Sequence, residues 1–175
     1  MPYTDYTTKI LGFEDTIILK VDERENRIDV YLEMQKLAHT CPACGAETTS
    51  VHDYRWQAAK DLKISGKSMV LHIHKRRYVC KQCGKRFQEK NPYLRRYQRV
   101  TTRLMTHVIS SLAEMRTIKD VAKEHDISPT TAARYFSLVK YSCSSLPEVL
   151  SIDEFKGDAG GQKYQCIITD ARKHR

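Results

Sequence analysis

Two short segments of this 175-residue chain have the residue types and spacing of a metal site. Cys41-Pro42-Ala43-Cys44-Gly45 and Cys80-Lys81-Gln82-Cys83-Gly84 each set two thiols three residues apart, with Gly directly after. That spacing lets both sulfurs of a pair meet one ion, and Gly lets the backbone turn tightly beneath them. Four thiolates satisfy tetrahedral Zn²⁺ with no position left open, so the predicted cofactor is a structural zinc, not a catalytic one. The 35-residue spacer is long but holds enough strand for the body of a zinc ribbon. His39, His52, His72 and His74 are the substitutes if a histidine replaces one cysteine. Four buried or redox-active cysteines are the other reading, and packing alone explains two CxxCG repeats poorly. Cys143 and Cys166 fit no metal spacing. Cys166 alternates with Tyr164 and Ile168 and is read as a small buried residue.

A second chemistry lies in the charge. Thirty Lys and Arg face twenty-one Asp and Glu, a formal net charge of +9. Residues 75–103 hold eleven bases and one acid, Glu89, whereas residues 1–40 are net acidic. Lys75, Arg76, Arg77, Lys85, Arg86, Arg95, Arg96, Arg99 and Arg103 are therefore candidate phosphate ligands. Tyr78, Phe87, Tyr93 and Tyr97 lie among them and can add apolar or stacking contact. A solvated basic face is the plain alternative, but so unbalanced a segment repels itself unless an anion relieves it.

The third signal is Thr117–Lys140, TIKDVAKEHDISPTTAARYFSLVK, which has the pattern of a helix-turn-helix. Val121, Ala122 and Ile127, then Ala132 or Ala133 and Tyr135 or Phe136, fall where two short helices meet. Ser128 is the expected N-cap of the second helix, with Pro129 at its first position, where a missing N–H is harmless. Thr130, Thr131 and Arg134 lie on that helix's first turns and are the expected contacts to phosphates and base edges. Asp126 occupies the turn, where many such motifs carry Gly, and Asp tolerates left-handed geometry. A plain structural helix pair is the alternative.

The remaining elements must position these groups. Thr16–Val21 and Ile28–Leu32 read as a β-hairpin around Arg24–Arg27. Residues 41–87 read as a cysteine-bounded unit of short strands with a turn at Ser65-Gly66-Lys67, one strand running through Met69, Leu71 and Ile73 toward Cys80. From Val100 to Met115 the apolar spacing fits one helix face, capped by Thr101 or Thr102. Ser144–Pro147 breaks the helices. Glu148–Phe155 and Lys163–Thr169 read as two strands around a loop with Gly157, Gly160 and Gly161. The fold class is α+β, divided as 1–90, a hairpin and zinc ribbon; 91–146, a helical DNA-binding region; and 147–175, two further strands. The 41% apolar and 29% charged composition excludes a disordered chain and a membrane-embedded one. No stretch approaches the ~20 apolar residues of a spanning helix, and the N-terminus lacks a secretory signal, so a reducing cytoplasm is expected.

CPACG, VHDYRWQAAKDL, RRYVCKQCGKRFQEKNPYLRRYQR, the helix-turn-helix and LPEVLSIDEFKGDAGGQKYQCIITD occur in an order that resembles the ISL-three family of bacterial insertion-sequence transposases. The resemblance runs from about Gly12 onward, and VHDYRW, RRYVC–CGKRF and IDEFKG are its specific parts. It implies a zinc-binding N-terminal domain, a helix-turn-helix and a DDE catalytic domain with a ribonuclease H-like fold, of which 147–175 is the opening. It implies Asp153 as the first catalytic carboxylate, with Mg²⁺ in the complete catalytic domain. The second acid and the Glu come further along the family's chains, so these 175 residues are expected to be C-terminally truncated and inactive alone, with an unpaired sheet edge after Leu150–Asp170. The expected partner is double-stranded DNA at transposon ends in the bacterial nucleoid, with a homo-oligomer or a pairing with full-length transposase as further partners. A zinc-ribbon transcriptional regulator and a truncated transposase acting as inhibitor are the alternatives.

Overall fold

Strands form where β-branched and apolar residues alternate with polar ones. The computed structural model describes residues 11–13, 15–114, 116–139, 148–157 and 164–172. The expectations for Cys143, Met115, the 144–147 break and Gly160 and Gly161 lie outside them. Strands β1 (Thr16–Glu23) and β2 (Arg27–Met34) form the expected antiparallel hairpin, its turn closed by the Arg24 amide on the Arg27 carbonyl at 2.8 Å. The short ladder of β3 (His39–Thr40) and β4 (Glu47–Thr48) brackets the first cysteine pair. Then come β5 (Val51–Ile64) and β6 (Lys67–Val79), joined at Ser65-Gly66, where both residues have positive φ as a tight two-residue hairpin turn requires. Strand β7 (Arg86–Gln88) adds to the end of β6.

The resulting five-stranded sheet runs β1-β2-β6-β5, with β7 beside β6. β2 and β6 are parallel, so the N-terminal hairpin and the ribbon share one sheet. Strands of 14 and 13 residues correct the expectation of short ones. β5 hid its length because its outer positions carry Tyr54, Trp56 and Lys60, which break the apolar–polar alternation. The inner positions Val30, Leu32, Ala59, Met69, Leu71 and Ile73 form one core, closed by Leu11, Phe13 and Leu94.

The helices begin where the caps predict. α1 (Thr102–Ala113) is capped by Thr101, α2 (Ile118–Glu124) by Thr117 and α3 (Pro129–Phe136) by Ser128. Each hydroxyl accepts an amide hydrogen from the residue three positions on. Leu104, Met105, Val108 and Leu112 of α1 pack with Val121, Ala122, Ile127, Ala132 and Tyr135, and Leu62 of β5 packs against this second core. Tyr135 is the buried aromatic of the motif and Phe136 the exposed one.

Two aspartates hold the helices to the sheet. Asp61 on β5 has a fully buried side chain. Its carboxylate accepts from the Thr101 hydroxyl at 2.6 Å, the Leu62 amide at 2.9 Å and Arg103 Nε at 2.7 Å, and the Arg103 Nη2 completes a bidentate pair. Asp126 sits between α2 and α3 at φ 51°. Its carboxylate takes the Ser68 hydroxyl and pairs with Lys63 at 3.2 Å, while its carbonyl accepts from Lys60. Burial disfavours the charged form, but Ser68 and Lys63 outweigh it and hold the carboxyl below its usual range.

The described residues up to Val139 form one compact unit, and those of the second unit form an antiparallel hairpin of β8 (Leu150–Lys156) and β9 (Tyr164–Asp170). The second hairpin exposes Ile152, Phe155, Ile167 and Ile168. Cys166 is exposed there, not buried as expected.

Removing Asp61 strands the Arg103 guanidinium and uncaps the link to α1. Asp61→Ala should cost about 3 kcal/mol, measured as a lower urea midpoint. Asp126→Gly keeps the backbone allowed yet should still lose about 1 kcal/mol, which separates the anchoring role from the conformational one.

Candidate metal centre and nucleic-acid interface

The two CxxCG knuckles fold identically. The Cys41 amide donates to Ala46 and the Gly45 amide returns to Cys41; Cys80 donates to Lys85 and Gly84 returns to Cys80, all at 2.8–3.0 Å. Gly45 and Gly84 turn at φ 75° and 70°, a region that side chains disfavour. β6 delivers Cys80 to the end of the sheet, and the β3–β4 ladder brings Cys41 beside it. The four sulfurs lie within 4.8 Å of one another, with Cys41 to Cys83 and Cys44 to Cys80 both 3.5 Å. Zn–S bonds of ~2.3 Å in a tetrahedron put sulfurs ~3.8 Å apart, so the cluster fits one zinc.

The acid–base chemistry agrees. Burial opposes the Cys41 thiolate, but the amides of Ala43 and Cys44 and the adjoining thiols bring it down to about 6. The Ala46 amide favours the Cys44 thiolate, yet Cys83 and Cys80 push that thiol up to about 12. Four such sulfurs ionise together only around a cation. The four histidines are not among the gathered ligands: His39 packs tilted against Tyr78 with centroids 4.5 Å apart, His52 lies beside Asp53, and His72 and His74 hydrogen-bond Asp29 and Glu33.

The basic segment divides sharply. Arg76 is only 4% exposed, donates to the Met34 carbonyl at 2.6 Å and pairs with Glu33 at 2.9 Å and Glu89 at 3.5 Å. It is a structural cation, which corrects its assignment as a phosphate ligand. Arg103 is likewise committed to Asp61 and the Leu11 carbonyl, and its guanidinium lies over Phe13 at 4.5 Å. Arg77 is half-buried against Asp53 at 2.6 Å. Lys75 is half-buried and donates to Gln57 at 2.9 Å, and burial pulls its pKa down.

Lys85, Arg86, Arg95, Arg96 and Arg99 are exposed, and none pairs with an acid among the described residues. Lys85, Arg86 at the start of β7, Arg95 and Arg96 line one groove of ≈ 950 Å³, together with Lys75, Lys90 and Asn91. Arg99 lies at a second cleft of ≈ 360 Å³ with Arg27, Lys60, Ser128 and Thr131. On α3, Thr130 and Arg134 are exposed, whereas Thr131 is half-buried with its hydroxyl 2.9 Å from that of Ser128. A polar chain joins helix to groove: the Tyr135 hydroxyl donates to Gln98 at 3.2 Å, Gln57 donates to the Gln98 carbonyl at 2.7 Å, and Lys75 donates to Gln57. Sequence reasoning missed this relay and the Arg27–Lys60 rim, because Gln57, Tyr135, Arg27 and Lys60 lie outside the basic run. Asp153 is exposed in mid-strand β8 opposite Ile167, and no three acidic or imidazole side chains gather with it among the described residues.

Known proteins show the same two modules. A family model described as the zinc-finger of transposase IS204/IS1001/IS1096/IS1165 matches residues 38–83. A second, the helix-turn-helix domain of transposase family ISL3, matches residues 89–139. The chain is 32% identical over 148 residues to the transposase for insertion sequence element IS1001 of Bordetella parapertussis. That alignment covers 82% of this chain and 36% of the relative, so the chain spans about a third of that protein's length. No solved structure matches significantly. Among the described residues, no helix is long and apolar enough to cross a membrane.

Zinc content follows from the cluster. The purified chain should carry about one zinc per molecule, read by atomic absorption, and Cys41→Ser or Cys80→Ser should lose both the metal and the near-UV dichroism of the ribbon. A metal-free, fully folded protein would remove the site.

Proposed function

The chain belongs to the ISL3 family of transposases, and on that premise we propose that it recognises the DNA at the transposon end. The carrying observation is the junction of a capped, anchored α3 with exposed cations that no acid among the described residues neutralises. In this reading α3 enters the major groove with Thr130 and Arg134 toward base edges, while Thr131 and Arg99 meet phosphate at its N-terminal turn. Lys85, Arg86, Arg95 and Arg96 seat the neighbouring backbone in their groove. The zinc ribbon supplies the rigid frame for that groove, since β6 and β7 run from the metal into it. Such a protein works in the bacterial cytoplasm, on nucleoid DNA.

The catalytic half of the reading is metal-dependent DNA cleavage and strand transfer by the whole protein, with Asp153 as its first carboxylate. The described residues offer no cage for Mg²⁺ around Asp153. The assignment of Asp153 rests on the resemblance and on its mid-strand position.

Binding to a duplex carrying the element's terminal repeat, followed by fluorescence anisotropy, tests recognition. Affinity should fall steeply with salt, and the double variant Arg95→Ala/Arg96→Ala should flatten the log–log slope by about two. Arg134→Ala should weaken the terminal repeat by about 1–3 kcal/mol and relax its discrimination against a scrambled duplex. Equal affinity of the unaltered protein for both duplexes would refute end recognition. Asp153→Asn should leave binding unchanged, because that residue lies in a separate unit from α3.

A further inference from the structure

The face of the sheet opposite its core is not an ordinary solvated surface. Its outward positions carry Tyr31 on β2, His72 and His74 on β6, and Tyr54 and Trp56 on β5. The rings form a continuous array. Tyr31 stacks on His72 with centroids 4.5 Å apart, and Trp56 and Tyr54 stack on His74 at 4.5 and 4.8 Å. Tyr31 meets Trp56 edge-on at 5.9 Å, which joins the two stacks. Trp56 and Tyr54 remain 55% and 50% exposed, so about half of each side chain is open to solvent.

Acids lie beneath the array, but their charge is spent. Asp29 is held by Arg27 at 2.5 Å and by His72 at 2.6 Å, and Glu33 by Arg76 at 2.9 Å and by His74 at 3.1 Å. Each imidazole uses one nitrogen on its carboxylate, and the other has no hydrogen-bond partner among the described residues. Lys20 caps one end, paired with Asp22 at 2.7 Å and with its ammonium 5.8 Å from the Tyr31 ring centre. At the other end the outward positions continue through Ala58, Lys60 and Val70 into the cleft that holds Arg99, Ser128 and Thr131. One surface thus runs from the N-terminal turn of α3 to Trp56, ~13 Å along β5 from Lys60 at the usual strand rise.

We infer that this aromatic–imidazole face binds unpaired DNA bases beside the duplex that α3 holds. The inference rests on the DNA-binding reading of α3 and adds a second ligand class, single-stranded DNA. Ring faces stack on base faces, and in an intact duplex the base faces are covered by their neighbours, so only a melted or unpaired stretch offers them. The cations at both ends suit a sugar–phosphate backbone, and the spare imidazole nitrogens suit base edges. A protein partner would have to bury the Lys60 charge along with the rings, whereas Lys20 and Arg27 already pair with Asp22 and Asp29.

Trp56 is the sole tryptophan of the chain, so its emission reads the site directly. The zinc-loaded chain is titrated with a ten-residue oligothymidylate and, separately, with a blunt terminal-repeat duplex. The oligothymidylate should quench Trp56 saturably and the blunt duplex should not. By competition anisotropy, Trp56→Ala and Tyr54→Ala should each weaken oligothymidylate binding about tenfold while leaving duplex affinity and zinc content intact, and Trp56→Phe should keep most of the affinity. Absence of quenching, or unchanged affinity in both alanine variants, overturns the inference. So does a Trp56 emission shift that follows protein concentration alone, which would give the face to a second copy. Loss of duplex binding with oligothymidylate quenching retained would instead refute the reading of α3.

Discussion

The relation between sheet and helices depends on two carboxylates. Asp61 and Asp126 are far apart in sequence, yet both tie the β5–β6 hairpin to the helical segment. Asp61 gathers the N-cap of α1 and Arg103; Asp126 clasps Ser68 and Lys63 from the turn of the helix-turn-helix. Buried ion pairs contribute little net stability beside well-packed apolar side chains, because desolvation offsets their attraction. Their worth here is geometric: hydrogen bonds fix a direction, whereas apolar packing between Leu62 and α1 permits sliding. The angle at which α3 leaves the body, and its distance from the groove of Lys85 and Arg95, follow from that fixation.

β6 carries the other end of the same frame. It starts at the hairpin tip beside Asp126, contributes Met69, Leu71 and Ile73 to the core, buries Arg76 and Tyr78, and ends at Cys80. The four-cysteine site, the sheet and the turn before α3 are thus attached to one strand. A body of this size has a modest core, and a metal that gathers ligands 39 residues apart (Cys41 and Cys80) stabilises it by forbidding many unfolded arrangements.

Much of this was legible beforehand where local chemistry dictates structure. CxxCG repeats, Ser128-Pro129 at a helix start and the apolar face of α1 each carry a mechanism within a few residues. The basic run was legible only as a count. Whether a given arginine is free depends on acids elsewhere in the chain: Glu33 and Glu89 claim Arg76, Asp53 claims Arg77, and Asp61 claims Arg103. No local pattern marks those pairings. The same limit hid Asp126, whose tolerance of positive φ was readable while its partners on β5 and β6 were not. Trp56 and Tyr54 blur the apolar–polar alternation of β5 because their face of the sheet is itself aromatic.

The parallel pairing of β2 with β6 sets an order of events during synthesis. The hairpin of β1 and β2 is complete by Met34, but the inner edge of β2 has no neighbour until the ribosome has made residues 68–73. For those seconds, at roughly 5–20 residues per second, Val30 and Leu32 lack their cover. The metal cannot close its cage until Cys83 emerges, after the sheet partner has arrived. Zinc therefore acts late in this chain, as a lock on a sheet already paired rather than as the seed around which it forms.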